Sequence, residues 1–150
     1  MRLAIEEAKK GIKEGQAPVG ACIVKDEQIV CCAHNTVWKD MDITAHAEIN
    51  ALRETCKKLH MIDLSDCEIY STCEPCPMCF SACHWARISK IVYGARIEDA
   101  KQAGFNEIKI SNQFIKEKGK LKIKIVGDFM REECLELFSL WLSREDKKSY

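Results

Sequence analysis

The chain has 150 residues, 47% hydrophobic and 31% charged, with 23 Lys+Arg balanced by 23 Asp+Glu. This length suits one domain, residues 1–150, able to bury its own core. The zero net charge argues against dependence on a polyanion such as nucleic acid. No apolar run approaches the ~18 residues of a membrane span, and the charged, helix-like start Met1-Arg2-Leu3-Ala4-Ile5-Glu6-Glu7 is unlike a secretory signal.

In chain order, Leu3 to Lys13 reads as a helix with Leu3, Ala4, Ile5, Ala8 and Ile12 on its apolar side. Gly15 to Pro18 breaks it, and Val19 to Val24 is an apolar strand. Lys25-Asp26-Glu27 is a hairpin turn and Gln28 to Ala33 the returning strand. Thr44 is an N-cap for a helix from about Ala45 to His60, with Ala47, Ile49, Ala51, Leu52 and Cys56 inward. Glu68 to Cys73 is a strand. A short helix starts near Cys76 and ends around Arg87, followed by a buried strand from Lys90 to Ala95. Residues 97 to 118 show a short helix to Ala103 and a turn at Gly104. Leu121 to Val126 alternates apolar residues with Lys, as a strand with one wet face does, and Arg131 to Ser143 is an amphipathic helix. Its stripe of Phe129, Met130, Cys134, Leu135, Leu137, Phe138 and Trp141 reads first as core. The order α-β-β-α-β-α-β-α-β-α predicts an α/β fold, a three-layer αβα sandwich with a central mixed five-stranded sheet.

Ten cysteines are many for this length. Several sit within apolar strand or helix patterns, where free Cys behaves as a small hydrophobe. That reading predicts a reducing, cytoplasmic compartment.

His46-Ala47-Glu48 and Pro75-Cys76-Pro77-Met78-Cys79 carry the chemistry. His46, Cys76 and Cys79 make three zinc-type ligands, and three is the number that leaves a catalytic metal an open position. Cys76 and Cys79 share one face in the first turn of a helix that Pro77 can begin. A helix N-terminus also favours thiolate. His46 and Glu48 converge only if they too lie at a helix start. One Zn2+ per subunit there would acidify water to a pKa of roughly 7, with Glu48, beside the metal but not on it, as the proton carrier. Two alternatives use the wider run Cys73, Cys76, Cys79 and Cys83: a ferredoxin-type cluster, or a closed four-ligand zinc using Cys73 or Cys83. Against the first, no Pro follows Cys83 and no second run exists. A non-catalytic zinc-bearing interaction domain is the reading from another class, and it leaves Glu48 idle. His34, His60 and His84 are read as surface or satisfied polar residues.

The stretches Thr44-Ala45-His46-Ala47-Glu48-Ile49-Asn50-Ala51-Leu52-Arg53 and Ser71-Thr72-Cys73-Glu74-Pro75-Cys76-Pro77-Met78-Cys79 resemble the cytidine-deaminase-like superfamily of zinc deaminases. The resemblance covers nearly the whole chain and is greatest to the guanine and guanosine deaminase branch. It implies a cytidine-deaminase-like fold, His46, Cys76 and Cys79 on zinc, and Glu48 as the catalytic residue. The substrate-binding residues it implies are Asn35, Ala47, Trp85, Glu107 and Tyr150, with Glu107 closing a segment, Ala103-Gly104-Phe105-Asn106-Glu107, similar to the branch's Ala-Gly-Phe-Asp-Asp. Without the resemblance, Trp85 reads as core, Glu107 as a solvated loop acid and Asn35 as a turn residue. The sequence departs from the branch at Gln16-Ala17-Pro18-Val19, at Asp42-Ile43-Thr44, at Asn106 and at Cys83-His84. The implied activity is deamination of a purine base or nucleoside, guanine to xanthine plus ammonia. The alternatives are adenosine in tRNA, or cytosine or another small base. The implied partners are a small-molecule purine and a second copy of the chain, with the C-terminal segment exchanged between subunits, and neither nucleic acid nor membrane.

Overall fold

The computed structural model describes residues 1–150. It contains α1 (Arg2–Lys13), β1 (Gly20–Lys25), β2 (Gln28–His34), α2 (Val37–Asp40), α3 (Ala47–Leu59), β3 (Cys67–Cys73), α4 (Pro77–Trp85), β4 (Lys90–Ala95), α5 (Ile97–Gln102), α6 (Asn112–Gly119), β5 (Lys124–Val126) and α7 (Arg131–Leu142). The five strands form one sheet in the order β2-β1-β3-β4-β5. β1 runs antiparallel to both neighbours, and β3, β4 and β5 run parallel. This is the mixed five-stranded sheet that the element order predicts.

Two apolar clusters fill the two faces of the sheet. Ala21, Ile23, Cys67, Ile69 and Ile91 pack with Ala47, Ala51 and Leu52 of α3 and Phe80 and Cys83 of α4. The opposite cluster joins Ile5, Ala8 and Ile12 of α1 to Cys134, Leu137, Phe138 and Trp141 of α7. Residues two apart on β1 and β3 share a face, as the strand period requires. α1 lies close on the sheet because position 20 is glycine: a Cβ there would collide with the Ala4 carbonyl and the Ala8 amide. Gly20→Ala is expected to destabilise the fold by about 1–3 kcal/mol, read as a lower urea midpoint. An unchanged midpoint would show that α1 adjusts freely.

Asp26 and Glu27 both take positive φ, 48° and 62°, which is the two-residue hairpin turn that matches strand twist. Four expectations need correction. α3 begins at Ala47 with His46 as N-cap, not at Ala45 after Thr44. The Thr44 amide and hydroxyl both donate to Asp42 Oδ1, at 2.8 and 2.7 Å, so a local turn captures that residue. The last strand is only Lys124–Val126, because the Leu121 amide donates to the Lys116 carbonyl and closes the end of α6. α2 and α6 were not expected; α6 starts at Ser111, whose hydroxyl accepts the Phe114 amide. The fourth concerns the thiols: Cys22 and Cys32, opposite each other on β1 and β2, form a disulfide, and the other eight cysteines are free. No helix is long and apolar enough to cross a membrane.

Candidate functional site

Two helix N-termini and the C-terminal end of β3 meet on the α3–α4 side of the sheet. His46 is the N-cap of α3 and Cys76 the N-cap of α4, both with extended backbone, and Pro77 takes the first position of α4. The expectation that both halves of the site come from helix starts holds, with His46 and Cys76 at the capping positions and Cys79 in the first turn of α4. Neither the His46 nor the Cys76 side chain caps its own helix, and the unpaired amides of the two helix starts give a positive field.

His46 Nδ1 lies 3.7 Å from Cys76 Sγ and 3.6 Å from Cys79 Sγ, and the three ligand atoms lie within 4.8 Å of one another. With zinc–sulfur bonds of about 2.3 Å and zinc–nitrogen bonds of about 2.0–2.1 Å, tetrahedral ligation puts N and S about 3.6 Å apart. The three residues therefore fit a zinc ion. The Cys76 thiol is held down to about 4 by its hydrogen bond with Cys79, against burial and helped by His46. Its partner Cys79 is held up by that same bond and by burial. Cys73 and Cys83 do not join the triangle. The Cys73 thiol donates to the Arg96 carbonyl at 3.6 Å, and Cys83 is packed in the α3–α4 core. Burial raises both thiols well above their ordinary range.

Glu48, at the second position of α3, is 3% exposed. The Ser71 hydroxyl donates to its Oε1 at 3.0 Å, and Cys79 Sγ lies 3.5 Å from its Oε2. Burial raises its carboxyl pKa. A cavity of about 30 Å³ opens in front of it, lined by Asn35, His46, Glu48, Cys76, Glu107 and Tyr150 among others; that is room enough to admit water. It continues into a mouth of about 250 Å³ between Ile43, Pro77, Met78, Ile108, Glu107 and Tyr150. A larger depression, about 950 Å³, lies elsewhere, around Cys22, Tyr70 and Phe129, and contains none of these residues.

Of the residues implied to hold a substrate, Asn35, Glu107 and Tyr150 reach this cavity. Asn35 is buried, its Oδ1 accepting the Val37 amide and its Nδ2 donating to Tyr150 Oη at 2.6 Å. The Tyr150 ring lies 5.6 Å from the His46 ring. The tail is tied down on its own chain: the Asn106 amide donates to the Tyr150 carbonyl at 2.9 Å, and Trp38 Nε1 to the Lys148 carbonyl at 3.1 Å. Burial, and then the Cys76 thiolate, raise Glu107 to about 7. The Ala47 side chain does not line the cavity; it is buried in the core against the sheet. Trp85, at the end of α4, is 83% exposed and away from the cavity of its own chain; it is not the core residue that its helical position suggests.

Four residues escaped the sequence reading. Phe105 lines the cavity and stacks on Trp141 and Tyr150. Trp38 seats the tail. Glu74 binds two helix starts, accepting the Asn112 amide at 2.7 Å and the Ile97 amide at 3.4 Å, while Asn112 Nδ2 donates to the Pro75 carbonyl at 2.6 Å. Ser71 holds Glu48. Ser71, Glu74 and Phe105 lay within the quoted motifs, and nothing in their spacing revealed a partner.

Residues 1–95 match the family model for the cytidine and deoxycytidylate deaminase zinc-binding region. The chain is 38% identical over 151 residues to a guanine deaminase of Bacillus subtilis, covering 100% of this chain and 96% of that one. A solved structure of guanine deaminase from that organism superposes with a TM-score of 0.67 at 37% identity, over 99% and 95% of the two chains. A tRNA-specific adenosine deaminase of Aquifex aeolicus is 43% identical over 104 residues, 69% of this chain and 68% of that one. A guanine deaminase structure from Nitrosomonas europaea shares the fold with a TM-score of 0.86 at 24% identity, over 95% and 82% of the two chains.

Proposed function

The chain belongs to the cytidine and deoxycytidylate deaminase zinc-binding family, and from that premise we propose that it is a zinc-dependent aminohydrolase acting on guanine, giving xanthine and ammonia. The observation that carries the substrate is the full-length 38% identity to the Bacillus guanine deaminase. The cavity around Asn35, Glu107 and Tyr150, with the mouth of about 250 Å³ in front of it, suits a small free base. In the reaction the bond from the purine ring to its exocyclic amine breaks and one to a water oxygen forms.

His46, Cys76 and Cys79 would hold a zinc ion, which would supply Lewis-acid activation of water. Glu48 accepts the proton of that water at Oε2 and returns it to the departing amine. Its burial suits the second half of the task, because burial raises the carboxyl pKa and so favours the protonated form that gives the proton back. Asn35 in the inner cavity, and Glu107 where that cavity meets the mouth lined by Ile43, Pro77, Met78 and Ile108, hold the polar edges of the base. Phe105 and Tyr150 exclude bulk water. Ala47 joins the site through its backbone, at the start of α3.

The protein acts as a single domain in the cytoplasm, which the eight free cysteines support, and as a homodimer. Trp85 and Ile62, 83% and 82% exposed, lie at the end of α4 and in the loop that the Leu64 amide ties to the Ala86 carbonyl, a face suited to a second copy. Within one chain the tail lies at the site, with Tyr150 Oη accepting from Asn35 Nδ2 and the Tyr150 carbonyl from the Asn106 amide.

A second reading, adenosine in tRNA, is favoured by the Aquifex relative. Ammonia release measured over guanine, guanosine, adenine, adenosine, cytosine, cytidine and tRNA separates the two. Guanine is expected to be turned over fastest; release from tRNA alone would overturn the substrate and keep the site.

A further inference from the structure

Ser71 sits at the middle of the sheet, on β3, with Ala21 opposite on β1 and Tyr93 opposite on β4. It is 0% exposed. It faces the same way as Cys67 and Ile69, both members of the α3–α4 core. A hydroxyl on that apolar face is unfavourable unless it is hydrogen-bonded. Its one side-chain partner is Glu48 Oε1, at 3.0 Å.

The bond divides the work of the two carboxylate oxygens. Oε1 is tied to a strand paired on both edges, which cannot shift without disturbing β1 and β4. Oε2 is left on the side of Cys79 Sγ, 3.5 Å away, facing the ligand triangle. No cation pairs with Glu48, so the hydroxyl does the orienting that an Arg or Lys does elsewhere. We propose that Ser71 is the positioning residue of this site: it anchors Oε1 and selects Oε2 as the atom that exchanges the proton. The proposal rests on the reading of Glu48 as proton carrier.

The test compares Ser71→Ala and Ser71→Thr with the wild-type zinc enzyme, on whichever substrate the wild type turns over. Loss of a hydrogen bond to a charged group corresponds to a fall in kcat of about 10- to 100-fold. For Ser71→Ala we expect that fall, with KM within about twofold, one zinc retained per chain and a melting temperature close to wild type. Ser71→Thr keeps the hydroxyl on a β-branched side chain that suits a strand, and is expected to recover most of kcat. Three results would overturn the proposal: wild-type kcat in Ser71→Ala, a rise in KM that accounts for the whole loss, or zinc loss in that variant. Should Ser71→Thr melt well below wild type, the split between kcat and KM in Ser71→Ala decides alone. Failure of the underlying reading looks different, because Glu48→Gln would then keep its activity whatever Ser71 does.

Discussion

Glu48→Gln is expected to abolish ammonia release, by about 10³-fold or more, while keeping zinc and melting no lower than wild type. The substitution keeps the shape of the side chain and an oxygen for the Ser71 hydroxyl, so the local packing survives. What it removes is a group that can take a proton and give it back. Stability is expected to hold or rise because Glu48 is 3% exposed and burial disfavours its charge. Metal analysis, a thermal melt and an ammonia assay on one preparation check all three. Glu48→Gln with wild-type turnover would remove Glu48 from the chemistry. Zinc loss in that variant would instead put the carboxylate on the metal.

Cys79→Ala is expected to lose zinc, and with it both activity and stability. Cys79 is 0% exposed and lies 3.6 Å from His46 Nδ1 across the ligand triangle. A metal that binds only the folded chain at a thousand times its Kd contributes about 4 kcal/mol. For a chain of this size that corresponds to about 8–16 °C in Tm. Stripping the wild type with a chelator is expected to lower its Tm by that amount and to leave the Tm of Cys79→Ala unchanged. Cys73→Ala is the control. Its thiol donates to a backbone carbonyl outside the triangle, so the variant is expected to keep one zinc per chain. Zinc loss in Cys73→Ala would restore the four-ligand alternative, in which the site is closed and structural.

The metal triad was legible in the sequence because ligand type and spacing are local. Cys76 and Cys79 lie in one helical turn, Pro77 marks where that turn begins, and Glu48 lies two residues from His46. The strands of the sheet were legible for a similar reason, since an apolar run or an alternation is a property of a few consecutive residues. Helix starts were less so. Thr44 has the composition of an N-cap, yet Asp42 competes for its amide and hydroxyl, and that competition is settled by geometry. Trp85 shows the opposite difficulty, a large apolar residue in a helix whose neighbours leave it 83% exposed.

By itself, the sequence determined the candidate ligands, the acid beside them and most of the alternation of strands and helices, because each depends on donor chemistry or on a period within one segment. Only the tertiary structure decided which cysteines meet. It brought Cys22 and Cys32 together across a hairpin, drew Cys76 and Cys79 to His46, and left Cys73 and Cys83 out. It also decided that Ser71 holds Glu48 across 23 residues of chain, and that Tyr150 closes on Asn35 across 115. Such contacts carry no local signature, since they form only when the sheet fixes where α3, β3 and the tail lie.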